Sequence, residues 1–265
     1  MKKLTKQHWL KMIFITIMWL VLWEIADRVI DNRIILSGPL HMLSSLAEQV
    51  AKPDFWMICA ASFLRITLGF LLSFALGFAL AVLCYRMPLL KDIIAPVMAM
   101  LKIVPMISFV IMLLIWVGNQ ALTIYLSFLI VLPLIYTNTL AGLEAVDKNL
   151  LEISKEYGMS RWYRFKYVYR PTLMPFLISG CRVSLGMSWK SGIMAEVIGT
   201  PKPSIGREMY AAKTYLQTGN LFAWTIVVVI LSIVFERGFL WLLEKLDVPR
   251  QQAPAANPHM GKEGM

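Results

Sequence analysis

Lys102, Arg182, Lys190 and Glu196 are ionisable side chains set inside long apolar runs, and they mark where this sequence has the means to do chemistry. A charge at bilayer depth is costly, so each is by default a candidate for a path, an ion pair or a proton route. Glu196 follows Arg182 by fourteen residues, which on a helix is about 1,400°, roughly 40° short of four turns, and about 21 Å of rise. The two are therefore expected on one face, with Lys190 between them in height and about 80° around from Arg182. Arg182, near the end of its run, can snorkel; Lys190, near the middle, has less freedom to do so. Lys102 stands beside the kink expected at Pro105. Lys102, Pro105, Lys190 and Glu196 are the expected lining of a path that favours a small anion. Pairing of Lys102 with Asp92 or with a neighbouring subunit is the alternative. Trp116 and Trp189 fit packing or interface anchors better than a substrate cage.

Other chemistry lacks its residues. Cys59, Cys84 and Cys181 have no CxxC spacing and suit core filler better than a disulfide or metal set. His8, His41 and His259 lie near the ends or in a loop, and no HExxH occurs. No GxxxxGK[ST] phosphate loop is present, so the chain cannot hydrolyse ATP by itself, and no cofactor site is expected on it. Paired carboxylates, metal-ligand spacing and Ser/His constellations are missing at depth, which leaves a membrane-embedded enzyme without support.

The elements that must hold these residues follow from composition. Of 265 residues, 58% are hydrophobic and only 16% charged, whereas a soluble domain needs about a quarter charged. A mean hydropathy of +0.65 agrees. Soluble enzyme and intrinsic disorder are both excluded, and an all-α integral membrane protein of one domain remains.

A helix needs about 20 apolar residues to cross the hydrocarbon core. Six such spans are expected, at about 9–26, 58–85, 93–117, 121–141, 172–197 and 221–243. The first follows Lys2, Lys3 and Lys6 and reads as an uncleaved anchor, because no A-x-A site follows it. In the second, Gly69, Ser73, Gly77 and Ala81 form a small-residue stripe at every fourth position, suited either to tight packing within one subunit or to a dimer face. Pro96 and Pro105 interrupt the third span and Pro133 the fourth, and only Gly118, Asn119 and Gln120 separate the two as a tight hairpin. Residues 39–50 put Leu40, Leu43, Leu46, Ala47 and Val50 at helical spacing. Residues 205–216 do the same with Met209, Ala212 and Leu216. Both are expected as short helices along the outer membrane face, either plugging the bundle or docking an external partner.

The net charge of +10 (26 Lys and Arg less 16 Asp and Glu) and the pI near 9.6 are explained by topology. With the N-terminus inside, about fifteen Lys and Arg fall in cytoplasmic segments against six outside, as the positive-inside rule requires. Both termini are then cytoplasmic, and nucleic acid is not needed as a partner. The expected layout is a cytoplasmic start at 1–8, a transmembrane domain at 9–246 with a polar cytoplasmic loop at 144–171, and a disordered cytoplasmic tail at 247–265.

That loop is basic, with Lys148, Lys155, Arg161, Arg164, Lys166 and Arg170. Residues 152–157 have helical propensity, Gly158 can take the left-handed conformation that ends a helix, and Ser160 suits a cap for the next turn. Glu152-Ile153-Ser154, three residues, Gly158, nine residues and then Val168-Tyr169-Arg170-Pro171 resembles the coupling-loop motif of binding-protein-dependent ABC importer permeases. That motif reads E-A-A, three residues, G, nine residues, I-x-L-P. Glu, Gly and Pro are identical, while Ile153, Ser154 and Arg170 depart from it. Gly158-Met159-Ser160-Arg161-Trp162 is similar to the G-x-S-R-W run of the nitrate/sulfonate/taurine-type permeases. So are Ser37-Gly38-Pro39, Lys102-Ile103-Val104-Pro105 and Ala195-Glu196-Val197-Ile198-Gly199. The resemblance covers about residues 35–245.

It implies a type I ABC importer permease of the plasma (inner) membrane. Two copies, as a homodimer or with a related partner, would form the translocation path. Each would place its loop helix in a groove of a cytoplasmic ATP-binding subunit, where ATP and Mg are held. An external solute-binding protein would deliver the substrate. Glu152, Ile153, Ser154, Gly158, Ser160, Arg161 and Pro171 are the implied coupling residues, and nitrate, taurine or another sulfonate, or a pyrimidine or other vitamin precursor, the implied substrates. The rival class is an ATP-independent secondary transporter. Such folds often carry inverted repeats, but the two sets of three spans have no visible similarity and the polar loop occurs once.

Overall fold

Long apolar runs broken by glycine, proline and short polar turns leave helix as the only way to satisfy the backbone in lipid. In the computed structural model, which describes residues 6–246 apart from residue 33, with side chains from residue 10, every regular element is helical. The expected tail at 247–265, and residues 1–5 of the expected cytoplasmic start, lie outside the described residues.

The chain begins with α1 (Lys6–Ile30), then the short α2 (Pro39–Val50), then α3 (Phe55–Arg86) and α4 (Pro88–Ile103). α5 (Met106–Glu144) is followed by the loop helix α6 (Lys148–Glu156) and the single turn α7 (Arg161–Arg164). A π turn, Phe165–Tyr169, leads into α8 (Arg170–Gly199), and α9 (Ile205–Thr214) and α10 (Thr218–Leu246) complete the fold. α3, α5 and α10 are long and apolar enough to cross a membrane by composition alone. α8, at 30 residues, spans about 45 Å, and packs between α5, α3 and α10.

The third and fourth expected spans are divided differently from the reading above. The break expected as a kink at Pro105 is a full interruption: α4 ends at Ile103, Val104 is extended, and Pro105 caps α5. α5 at 39 residues would be about 58 Å long if straight, too long for one crossing. It turns at Gly118, whose φ of 71° and ψ of 179° only glycine adopts freely. Val110 and Leu113 before that turn share a buried cluster with Leu122 and Leu126 after it, which a straight helix would forbid.

The small-residue stripe of α3 is used inside the subunit. A Cβ on Gly69 would lie 2.6 Å from the carbonyl oxygen of Ile124, and one on Gly77 would lie 3.2 Å from Ile135. Ser73 donates to the Phe128 carbonyl at 2.9 Å, and Ala81 is fully buried among Leu132, Tyr136 and Leu140. α3 and α5 therefore meet nearly backbone to backbone.

Both short helices are present, as α2 and α9. Met42, Ser45 and Gln49 face inward, while Leu40, Leu43 and Val50 are exposed. Ser44 and Glu48 are exposed beside them, and Leu46 packs toward the cluster of Phe55 and Trp224, so both faces of α2 are of mixed polarity. On α9, Ile205, Gly206 and Ala212 are buried, and Met209 packs near Trp189 and Trp224. Leu216 lies beyond the helix end and is exposed.

Candidate functional site

Three constellations result from this packing: the polar loop between α5 and α8, a polar lock at the opposite end of α8, and an exposed cationic face along α8.

The loop is shaped by its caps. The Asp147 carboxylate accepts from the Asn149 N–H at 2.8 Å and starts α6. At the other end the Gly158 N–H donates to the Lys155 carbonyl and the Met159 N–H to the Ser154 carbonyl, both at 3.0 Å. That pair of bonds closes a helix around a left-handed residue, and Gly158 sits there at φ +64°. Ser160 then accepts from the Tyr163 N–H and starts α7. The basic-aromatic stretch is not a separate segment, since it runs through the π turn into α8. The wide turn accommodates Pro171, which brings no N–H and whose ring would crowd the Tyr167 carbonyl in regular helix. Arg170 meets it by donating five residues back, to the Phe165 carbonyl.

Ser154 alone of the motif residues is buried, its hydroxyl donating to the Leu151 carbonyl at 2.7 Å. Glu152 and Ile153 are exposed, as are Arg161 and, at 83% and 68%, Tyr157 and Trp162. Glu152 takes part in none of the ion pairs found among the described residues. The loop thus presents an apolar, aromatic and basic knob with its backbone bonds already made. Lys91 of α4 holds its root by pairing with Glu144 at the end of α5.

Glu196 differs from the reading above. It does not share an open face with Arg182, because α9 folds back over the end of α8 and encloses it completely. Ser62 of α3 donates to its carboxylate at 2.7 Å and the Gly206 N–H at 3.1 Å, while Arg65 of α3 stands 3.7 Å away. Ser62 also accepts from the Ile205 N–H at 2.8 Å, and Ser204 from the Arg207 N–H at 3.2 Å. All three leading N–H groups of α9 are thereby satisfied, one by Glu196 acting as a cap from another helix. Arg65 also donates to the Pro203 carbonyl at 2.7 Å and to Gln120 at 3.2 Å. Arg65 and Ser62 escaped the sequence reading, since they lie more than 130 positions from Glu196 and have no motif around them. An arginine within the apolar stretch of α3 was the one available signal.

Lys190 is exposed on α8 and on the same side as Arg182, with Gly186 between them. The open face of α8 therefore runs through 182, 186 and 190 rather than toward 196. Lys102, also exposed, donates to the Thr137 hydroxyl at 3.3 Å, next to the break at Pro105. Asp92 is not its partner among the described ion pairs.

Comparison with known proteins gives this geometry a family. A model described as "Binding-protein-dependent transport system inner membrane component" matches residues 73–247. The taurine transport system permease protein of Escherichia coli (strain K12) is 24% identical over 249 residues, covering 92% of this chain and 90% of that protein. The bicarbonate transport system permease protein of Synechocystis sp. is 24% identical over 201 residues, covering 76% of this chain and 71% of that protein. Among solved structures, a chain of a bacterial ABC transporter involved in import of the acidic polysaccharide alginate superposes with a TM-score of 0.56. The identity is 14%, over 91% of this chain and 96% of that one, and the likeness is one of fold.

Proposed function

We propose that this chain, which belongs to the family of binding-protein-dependent transport system inner membrane components, forms half of the translocation path of an ATP-driven importer of a small anion. Members of the family are membrane transport subunits rather than enzymes. The observation that carries the importer reading is the loop: α6, the left-handed Gly158 and the capped α7 form a rigid, exposed knob on a chain that lacks any phosphate loop of its own.

In this reading both termini and the loop are cytoplasmic, and a second copy of the chain completes the path. Each α6 sits in a groove of an ATP-binding subunit that holds ATP and Mg. Closure of the ATP-binding pair draws the two knobs together, and the helices behind them switch the path between inward and outward openings. α7 is joined to α8 through the helical π turn, so displacement of the knob passes directly to the helix that carries Lys190. An external binding protein delivers the solute and supplies most of the selectivity.

The anion reading rests on Lys190 and Lys102, two exposed cations on membrane helices. The names of the taurine and bicarbonate relatives, both transporters of species bearing an anionic group, agree with it. Its test is import by the reconstituted complex with Lys190→Ala and Lys190→Arg. Loss of one charge near the passing anion is expected to lower the anion's import efficiency about tenfold, equivalent to about 1.4 kcal/mol, a modest share of the attraction at close range in protein. Lys190→Arg should retain most of it. Unchanged rate and affinity in Lys190→Ala would remove Lys190 from the path.

A further inference from the structure

A cavity of about 550 Å³ opens where the cytoplasmic ends of α3 and α5 meet α7, the π turn and the start of α8. Its character is divided. Arg86, Arg161 and Arg164 line one part, and Phe78, Val82 and Leu173 line another. None of its lining residues is acidic, and none of the three arginines takes part in an ion pair among the described residues. Arg164 is the inner member: its Nη2 donates to the Met159 carbonyl at 3.3 Å, while its Nε is enclosed without a partner. Arg86 ends α3 and Arg161 opens α7, so the three charges come from two separate elements and converge on one space.

Convergent guanidinium groups without a carboxylate are a receptor for an oxyanion, and their planar forks suit phosphate. A free anion would leave the apolar wall unused. A molecule with a phosphate at one end and hydrocarbon at the other fills both. The position fits as well, since the arginines lie at the cytoplasmic rim while Phe78 and Val82 lie one to two turns deeper on α3. We propose that this cavity binds an anionic phospholipid of the cytoplasmic leaflet, with its phosphate on Arg86, Arg161 and Arg164 and one acyl chain along Phe78, Val82 and Leu173. The lipid ties the root of the loop to α3, and so braces the lever through which the knob moves α8. The inference depends on the cytoplasmic assignment of the loop, but not on the identity of the imported solute.

The test is native mass spectrometry of the purified full chain with phosphatidylglycerol or phosphatidylcholine of matched acyl chains. Expected is retention of phosphatidylglycerol at least about tenfold above phosphatidylcholine. That preference should vanish in Arg86→Gln/Arg164→Gln, whereas Arg164→Lys should keep part of it. Val82→Trp, which fills the apolar wall and leaves the charges, should lower retention of both lipids. If the double variant does not fold, Val82→Trp decides the matter. Equal retention of the two lipids would overturn the proposal. So would retention unaffected by Val82→Trp, or displacement by millimolar inorganic phosphate, which would mark a phosphate-ion site. Loss of the lipid when the ATP-binding subunit docks would assign the arginines to protein contact instead. Recovery of that subunit without specific lipid would leave the importer reading standing and defeat only this inference.

Discussion

Replacing Gly158 with valine is expected to abolish import while leaving the chain folded in the membrane. A Cβ at this position meets no atom within 4 Å, so crowding is not the cause. The cost is conformational, because φ there is +64°, and a non-glycine residue in that region loses about 1–2 kcal/mol, more with a β-branch. Relief requires the backbone to leave the left-handed region, which breaks the two bonds from Gly158 and Met159 that close α6. Those bonds are worth about 1 kcal/mol each. The knob then no longer has one shape, and α7 starts in the wrong direction. Solute-stimulated ATP hydrolysis should fall by more than about tenfold. Gly158→Asn, which tolerates the left-handed region, should retain a substantial part. Equal loss in Asn and Val variants would mean that glycine serves here for contact with a partner rather than for its backbone.

Arg65→Met is expected to be the most damaging single substitution for stability. It leaves Glu196 fully buried with two neutral hydrogen-bond donors and no cation. Stranding one partner of a buried pair costs about 3–5 kcal/mol, here enough to lower the melting temperature on the order of 10 °C. It also removes the donors to Pro203 and Gln120, so the turn before α9 and the turn at 118–120 lose their shared tether. The double variant Arg65→Met/Glu196→Gln should recover most of the loss. A glutamine keeps an acceptor for Ser62 and Gly206 without needing a counter-charge. Thermal unfolding of the four proteins in detergent gives the coupling directly. A double variant no more stable than Arg65→Met would show that Arg65 acts through its bonds to Pro203 and Gln120 alone.

Much of this architecture was legible in the residues, for reasons that also explain the misses. The positions of α3 and α10 follow from the length of apolar runs, whereas the break at Val104 and the turn at Gly118 divide residues 88–144 differently from the expected third and fourth spans. The loop's turn was legible because Gly158 and Ser160 act locally, each on backbone groups within five positions. The lock at Glu196 was not, since Ser62 and Arg65 reach it only through the tertiary fold. On α2 the helical spacing defined two faces, but not which of them meets the bundle. Met42, Ser45 and Gln49 face the bundle, while Leu40, Leu43 and Val50 are exposed. The open face of α8 was misplaced for a related reason. A helical wheel put Arg182 and Glu196 together, but α9 covers only the far end of the helix and takes Glu196 out of reach.

The proposed function turns on the loop of α6 and α7 docking an ATP-binding subunit. The most direct measurement is gentle purification of the chain from its native membrane, with quantitative mass spectrometry of what remains bound. An ATP-binding subunit is expected in equal amount with the chain, released by Gly158→Pro. That substitution removes the N–H bonded to Lys155 and forbids φ near +64°. Recovery of the folded chain without such a subunit, together with transport that survives ATP depletion and collapses with the ion gradient, would contradict it.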